Sequence, residues 1–136
     1  MGSRFNGEWV CSKDENFDEF LKKLGVGMIA RGMAKTLTTT LNIQSTDGQK
    51  FTVKSTTGPK TREVTFEIGK EIQESSTLGK PMKGTWNLEG DDMVGVFMSV
   101  DGCGDAITIK RTIQNNQLIQ KMQIGSTECT RYFNKK

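Results

Sequence analysis

The sequence predicts a mainly β protein: an antiparallel barrel or sandwich of about ten strands, with one helical pair inserted after the first strand. Three observations predict it. From Thr36 onward, short segments of alternating apolar and polar residues recur, punctuated by Gly, Asn and Asp at the roughly 8–12-residue spacing of all-β folds. One segment near the N-terminus instead repeats its apolar residues at helical spacing. No linker or low-complexity stretch divides the 136 residues, so a single domain over 1–136 is expected, long enough for a sizeable core.

The first strand is read over Gly7 to Lys13, with Trp9 and Cys11 on one face. A helix follows. Asn16 suits its N-cap, Glu19 stands three residues on as in a capping box, and Gly25 stops it. Phe17, Phe20, Leu21 and Leu24 fall at i, i+3, i+4 and i+7, a single apolar stripe. A second short helix covers about Met28 to Lys35, interrupted by Gly32, and Gly25-Val26-Gly27 joins the two. Thr38 to Ser45 and Gln49 to Ser55 then flank the turn Thr46-Asp47-Gly48. Glu63 to Gly69 follows the loop Thr57-Gly58-Pro59-Lys60, and Glu71 to Glu74 leads to a loop around Leu78-Gly79. Lys83 to Leu88 and Met93 to Val100 flank Gly90-Asp91, a pairing that sets Trp86 opposite the small Gly95. The last strands follow Asp101-Gly102-Cys103-Gly104, a turn without phosphate-binding context.

Those last strands form a meander whose register is legible. Ile107 to Gln114 and Gln117 to Ile124 flank Asn115-Asn116, a two-residue turn that tolerates the positive φ of type I′. If Gln114 pairs with Gln117, Arg111 falls opposite Gln120. Gly125-Ser126 makes the next turn, which sets Gln120 opposite Arg131. Ile109, Met122 and Cys129 form the row on one side, and Ile113, Leu118 and Phe133 the row on the other, all on one face. The opposite face carries Thr108, Lys110, Thr112, Lys121, Gln123, Glu128 and Thr130, a solvated surface. Two guanidinium groups thus stand within an apolar face, where an unpaired charge costs several kcal/mol and arginine cannot escape by losing its proton. Three solutions are open: the face points outward, an internal Asp or Glu pairs with the arginines, or the site takes an anion with an apolar body, such as a fatty acid.

Composition narrows the chemistry. With no histidine, the commonest general base and metal ligand are both missing. No phosphate loop, dinucleotide fingerprint or nucleophile elbow is present, so neither catalysis nor a cofactor or metal is expected. The net charge of +3, with Lys and Glu interspersed, does not suggest a nucleic-acid binder, although it suits weak attraction to anionic membranes. Cys11, Cys103 and Cys129 are an odd number without metal spacing, and no apolar leader is visible, so a reducing cytosol is expected. Met1-Gly2 is followed by Asn6 where a myristoylation signal needs Ser or Thr. Lys22, Lys23, Arg31 and Lys35 on the helices read first as a solvated face, and second as a basic patch for membranes or nuclear import.

Gly7-x-Trp9, Asn16-Phe17-Asp18-x-Phe20-Leu21, Leu24-Gly25-Val26 and Cys129-Thr130-Arg131 resemble the intracellular lipid-binding protein family, the cytosolic fatty-acid-binding proteins, from Phe5 to about Asn134. Gln49-Lys50-Phe51-Thr52-Val53-Lys54, Phe66-Glu67-Ile68-Gly69 and Gly84-Thr85-Trp86-Asn87-Leu88-Glu89-Gly90 look most like the intestinal type. The resemblance implies a ten-stranded up-and-down β-barrel, a flattened clam around a water-containing cavity, with a helix-turn-helix lid over about 16–35. It also implies that Arg111 and Arg131 bind a ligand carboxylate, with Gln120 and Trp86 nearby, and that Phe17, Phe20, Leu21 and Leu24 are both lid packing and cavity wall; strand alternation faces Trp86, Phe97 and Met122 inward, as candidates for the lining. The chain departs from the family's common Arg-x-Tyr ending, since Phe133 stands at the contributing position and Tyr132 should face outward. Pro59 replaces a usual portal phenylalanine.

The resulting expectation is a monomeric cytosolic carrier, with the nucleus as a second location, that holds one or two long-chain fatty acids or related hydrophobic carboxylates and touches anionic membranes transiently. A retinoic acid carrier would use the same arginines, and a retinol carrier would prefer glutamine in place of Arg111. A lipid isomerase and a membrane-associating interaction protein are the rivals from other classes.

Overall fold

The computed structural model describes residues 4–75, 81–100, 102 and 104–136. The loop expected around Leu78-Gly79, together with Asp101 and Cys103 of the turn before the last meander, lies outside the described residues. In chain order the elements are β1 (Gly7–Glu15), α1 (Phe17–Leu24), α2 (Met28–Thr36), β2 (Thr39–Gln44), β3 (Lys50–Thr57), β4 (Lys60–Glu67), β5 (Glu71–Ser75), β6 (Pro81–Glu89), β7 (Asp92–Ser99), β8 (Ile107–Gln114), β9 (Gln117–Ile124) and β10 (Thr127–Lys135). The strands make one antiparallel sheet in the order β4-β3-β2-β1-β10-β9-β8-β7-β6-β5. Pairing of β1 with β10 curls this sheet into a nearly closed up-and-down barrel, so the sandwich alternative falls away. Among the described residues, consecutive strands pair everywhere except between β4 and β5.

The hairpin chemistry sets the register. Asn115 and Asn116 take φ of 52° and 63°, as a type I′ turn requires, and β8 and β9 pair Arg111 with Gln120. Gln120 in turn pairs with Arg131 across β9 and β10. Trp86 lies opposite Gly95, where an added Cβ would stand 2.8 Å from the indole. In the Asp47 turn, the carboxylate accepts the backbone N–H groups of Lys50 and Gln49, each at 2.9 Å, and those bonds hold its carboxyl below the usual carboxylate range.

β1 runs two residues beyond its expected end at Lys13 and carries a bulge. Cys11 pairs with Phe133 and Lys13 with Tyr132, so Ser12 is the extra residue. The bulge reverses the facing of everything after it, which matters below.

The helix cap differs from its expectation. Asn16 does precede α1, but its backbone is left-handed and its side chain makes no cap bond. Its Nδ2 donates to the Glu128 carbonyl at 2.9 Å, tying the strand-to-helix corner to β10, and the left-handed backbone departs from the extended conformation of a capping residue. Gly25 ends α1 as expected, at φ 94°, with Gly25 N–H donating to Lys22 O and Val26 N–H to Leu21 O. Asp18 joins the helices, accepting from Arg31 Nε at 3.1 Å and lying 3.4 Å from Lys35 Nζ. Burial by itself would push the Asp18 carboxyl up, but Lys35 and then Arg31 outweigh it and hold the group below its ordinary value.

The core is uneven along the barrel. Phe5, Trp9, Ile43, Phe51, Met93, Leu118 and Phe133 are each under 2% exposed, and the Trp9 indole donates to Phe5 O at 2.9 Å. α2, by contrast, contains no buried residue, and Met28, Ile29 and Met33 are exposed. No helix among the described residues is long and apolar enough to cross a membrane.

Candidate ligand-binding site

A row of paired residues on one face crosses five neighbouring strands: the exposed Asp14 on β1, then the buried Arg131 on β10, Gln120 on β9, Arg111 on β8 and Met93 on β7. Arg111 and Arg131 are 8% and 7% exposed. Arg111 Nε donates to Gln120 Oε1 at 2.8 Å, and its Nη1 stands 3.8 Å from Met93 Sδ. Its guanidinium lies 4.6 Å over the Trp86 ring, a cation–π arrangement. Trp86 is held from behind by a chain of rings, Phe51 on Phe66, Phe66 on Trp86, and Phe97 edge-on to Trp86, with centroids 5.5, 5.2 and 5.7 Å apart. The other end of the Gln120 amide lies 3.5 Å from Met122 Sδ.

Arg131 sits differently. Its Nε donates to Asp14 Oδ1 at 2.6 Å, and Nη2 reaches Asp14 Oδ2 at 3.5 Å, Thr39 Oγ1 at 3.2 Å and Cys11 Sγ at 3.6 Å. One face of the guanidinium stacks on Phe17 of α1 at 4.0 Å, and Phe133 lies 5.6 Å away. The internal ion pair left open by the sequence therefore holds for this arginine. Asp14 can reach it because of the bulge. Counting by two from Trp9 puts residue 14 outside the barrel, and one extra residue turns it in. Both nearby thiols stay protonated at neutral pH. Burial pushes Cys129 up to about 12 and also raises Cys11, with the Arg131 charge opposing in each case.

These groups line two joined compartments. The smaller, about 170 Å³, is walled by Trp86, Arg111, Ile109, Phe66 and Phe133. The larger, about 720 Å³, lies under the helical pair and is walled by Phe17, Phe20, Leu21, Leu24, Met33, Leu37 and Met122. Thr39, Ser55, Arg62, Gln120 and Arg131 border both. The larger volume falls in the roughly 300–1,000 Å³ range of small-molecule pockets. Neither lining includes Asp or Glu, while Arg62 and Arg131 border both compartments, Arg111 the smaller and Lys60 the larger, so the cavity is apolar with positive charge only.

The structure thus brings Arg111, Arg131, Gln120, Trp86, Phe133, Phe17, Leu21 and Met122 to one cavity, while Phe97 packs behind Trp86 and borders neither compartment. Tyr132 faces outward and gives its hydroxyl to Glu15 Oε1 at 2.7 Å. Sequence reasoning missed Asp14, Thr39 and Arg62. Arg62 alternates with Val64 and Phe66, but it precedes the strand expected from Glu63, and β4 begins three residues earlier, at Lys60. The chemistry available is capture of an amphipathic anion. Among the described residues no cluster of His, Cys, Asp and Glu is arranged to hold a metal.

The chain matches the model of the lipocalin / cytosolic fatty-acid binding protein family over residues 6–136. It is 34% identical to the intestinal fatty acid-binding protein of Rattus norvegicus over 131 residues, covering 96% of this chain and 98% of that protein. It is 31% identical to sodium/calcium exchanger regulatory protein 1 of Doryteuthis pealeii over 133 residues, covering 98% and 97%. The crystal structure of a fatty acid-binding protein from Drosophila melanogaster brain tissue superposes with a TM-score of 0.85 at 30% identity, covering 96% of this chain and 98% of that one.

Proposed function

This chain belongs to the lipocalin / cytosolic fatty-acid binding protein family, and on that premise we propose that it carries long-chain fatty acids non-covalently, with the carboxylate seated at Arg111. One observation carries the reading: a buried guanidinium at the inner end of a cavity whose larger part is apolar. The carboxylate takes charge-assisted hydrogen bonds from Arg111, with the Gln120 amide beside it. The alkyl chain runs toward α1 and α2 and leaves water at about 0.8 kcal/mol per methylene, so about ten methylenes outweigh the cost of ordering the ligand. The protein is a carrier and not an enzyme. It acts as a monomer in the cytosol, with the nucleus as a second compartment, and takes no nucleic acid and no cofactor.

Calorimetric titration with oleate tests this directly. Arg111→Gln weakens binding by about 1.5–3 kcal/mol, the range for a hydrogen bond to a charged group. Oleate binding that survives the substitution intact would remove Arg111 as anchor. Mass spectrometry of lipids co-extracted with the purified protein names the natural chain length. The retinoid alternative is less favoured, because Phe133 brings no hydroxyl to the head group.

Transient contact with anionic membranes is the second part of the proposal. Met28, Ile29 and Met33 stand exposed on α2, and Lys22 and Lys23 lie in the last turn of α1. Each lysine close to an anionic surface contributes about 1 kcal/mol. Replacing Lys22 and Lys23 by Glu slows fatty-acid transfer to anionic vesicles by roughly tenfold at low salt. Equilibrium affinity stays within about twofold, since surface charge steers encounter more than it retains a buried ligand. Stopped-flow transfer to anionic and neutral vesicles measures both; equal rates for wild type and variant would leave these lysines as solvated surface.

A further inference from the structure

Arg111 and Arg131 face one cavity, and the contacts that hold Arg131 trace to one residue. The bulge at Ser12 turns Asp14, at the barrel rim, to the face that carries Arg131, and it meets Arg131 Nε at 2.6 Å. The remaining guanidinium surface is taken by Thr39 at 3.2 Å and by the Phe17 ring at 4.0 Å. A ligand carboxylate that sought Arg131 would have to displace Asp14. Asp14 is fixed beside Arg131 by its own backbone, so the exchange would only replace one carboxylate by another on this guanidinium, with no net gain in charge pairing.

We propose that Asp14 is a specificity-determining residue: it withdraws Arg131 from ligand binding, so that the cavity admits a single carboxylate seated deep at Arg111 and discriminates against ligands whose head group must be shared between the two arginines. This rests on the fatty-acid reading above. Asp14 stands outside both cavity linings and acts on the ligand through Arg131 alone. Its role is therefore to keep Arg131 engaged, and the Phe17 contact makes the same arginine a tie between barrel and α1.

Oleate titrations of four proteins test the proposal: wild type, Arg111→Gln, Asp14→Asn/Arg111→Gln, and the triple variant that adds Arg131→Gln. Arg111→Gln loses at least tenfold in affinity. Adding Asp14→Asn recovers at least tenfold of that loss, because the released Arg131 accepts the carboxylate, and adding Arg131→Gln abolishes the recovery. If Arg111→Gln loses affinity and Asp14→Asn restores none, Asp14 is not the determinant and this inference falls while the fatty-acid reading stands. If Arg111→Gln loses nothing, the anchor assignment itself falls. A recovery that persists in the triple variant also overturns the inference, since it would not run through Arg131. Should the Asp14 variants fail to fold, oleate titration of the wild-type protein decides by nuclear magnetic resonance of the arginine Nε–H groups. The Arg111 signal moves and the Arg131 signal stays; equal movement of both overturns the proposal.

Discussion

Arg111 and Arg131 stand on the same face of the same meander, one cross-strand step on either side of Gln120, and are buried to the same degree. Their surroundings nonetheless differ. On the Arg111 side the row continues into Met93 of β7, and Trp86 lies over the guanidinium. On the Arg131 side it continues into β1, whose bulge supplies Asp14. Equal register and equal burial thus say nothing about availability. What decides it is which strand closes the row, and whether that strand has kept its alternation.

Three experiments break or sharpen this contrast. The largest effect is expected at Gly95→Ala. The new Cβ would meet the Trp86 ring at 2.8–2.9 Å, and overpacking of this kind costs about 1–3 kcal/mol. Thermal unfolding shifts down, and oleate affinity falls with it as Trp86 moves from Arg111. An unchanged melting temperature would mean that the indole has room to retreat, and the Arg111 side would then be softer than its ring stack implies.

Next comes Arg131→Gln in the ligand-free protein. Breaking a fully buried ion pair by removing one partner costs about 3–5 kcal/mol. The Asp14 side chain is 30% exposed, so the screened cost is about 1–2 kcal/mol. Urea unfolding measures it, and Asp14→Asn/Arg131→Gln recovers part of the loss. If the double variant is no more stable than Arg131→Gln, the pair contributes nothing and the two arginines are more alike than their contacts suggest.

The smallest effect at neutral pH belongs to Cys129, two residues before Arg131. Burial raises the thiol to about 12, against 9.0 for the free group, so the unfolded chain loses this proton first as pH rises. Its contribution is complete below about pH 9 and declines as pH climbs toward 12. Cys129→Ala flattens that alkaline decline in a pH series of melting temperatures, leaving only a constant offset. An equally steep decline in the variant would assign the slope to other groups.

The meander was fully legible in advance. Asn115-Asn116 and Gly125-Ser126 are two-residue turns, and a two-residue turn leaves one register, so Arg111, Gln120 and Arg131 could be aligned by counting. The Trp86–Gly95 pair followed from the same arithmetic. Helix boundaries were also close, because Gly25 stops a chain wherever a left-handed residue is needed. Phe97 illustrates the opposite case: alternation points it inward, but inward positions divide between cavity wall and packing behind Trp86, and that choice depends on neighbouring strands.

What the sequence determined by itself was everything local: the turn types, the register of adjacent strands, the apolar stripe of α1, and the presence of two arginines on an apolar face. These follow from backbone sterics and from the period of two, which act between near neighbours in the chain. What only the tertiary structure decided was the closure of the barrel and the fate of those arginines. Asp14 and Arg131 are far apart along the chain and meet only because β1 pairs with β10, and they face each other only because Ser12 is unpaired in that ladder. A bulge of one residue leaves little mark on a hydrophobic pattern, yet it turns a carboxylate at the barrel rim to the face that carries Arg131, where the two pair at 2.6 Å.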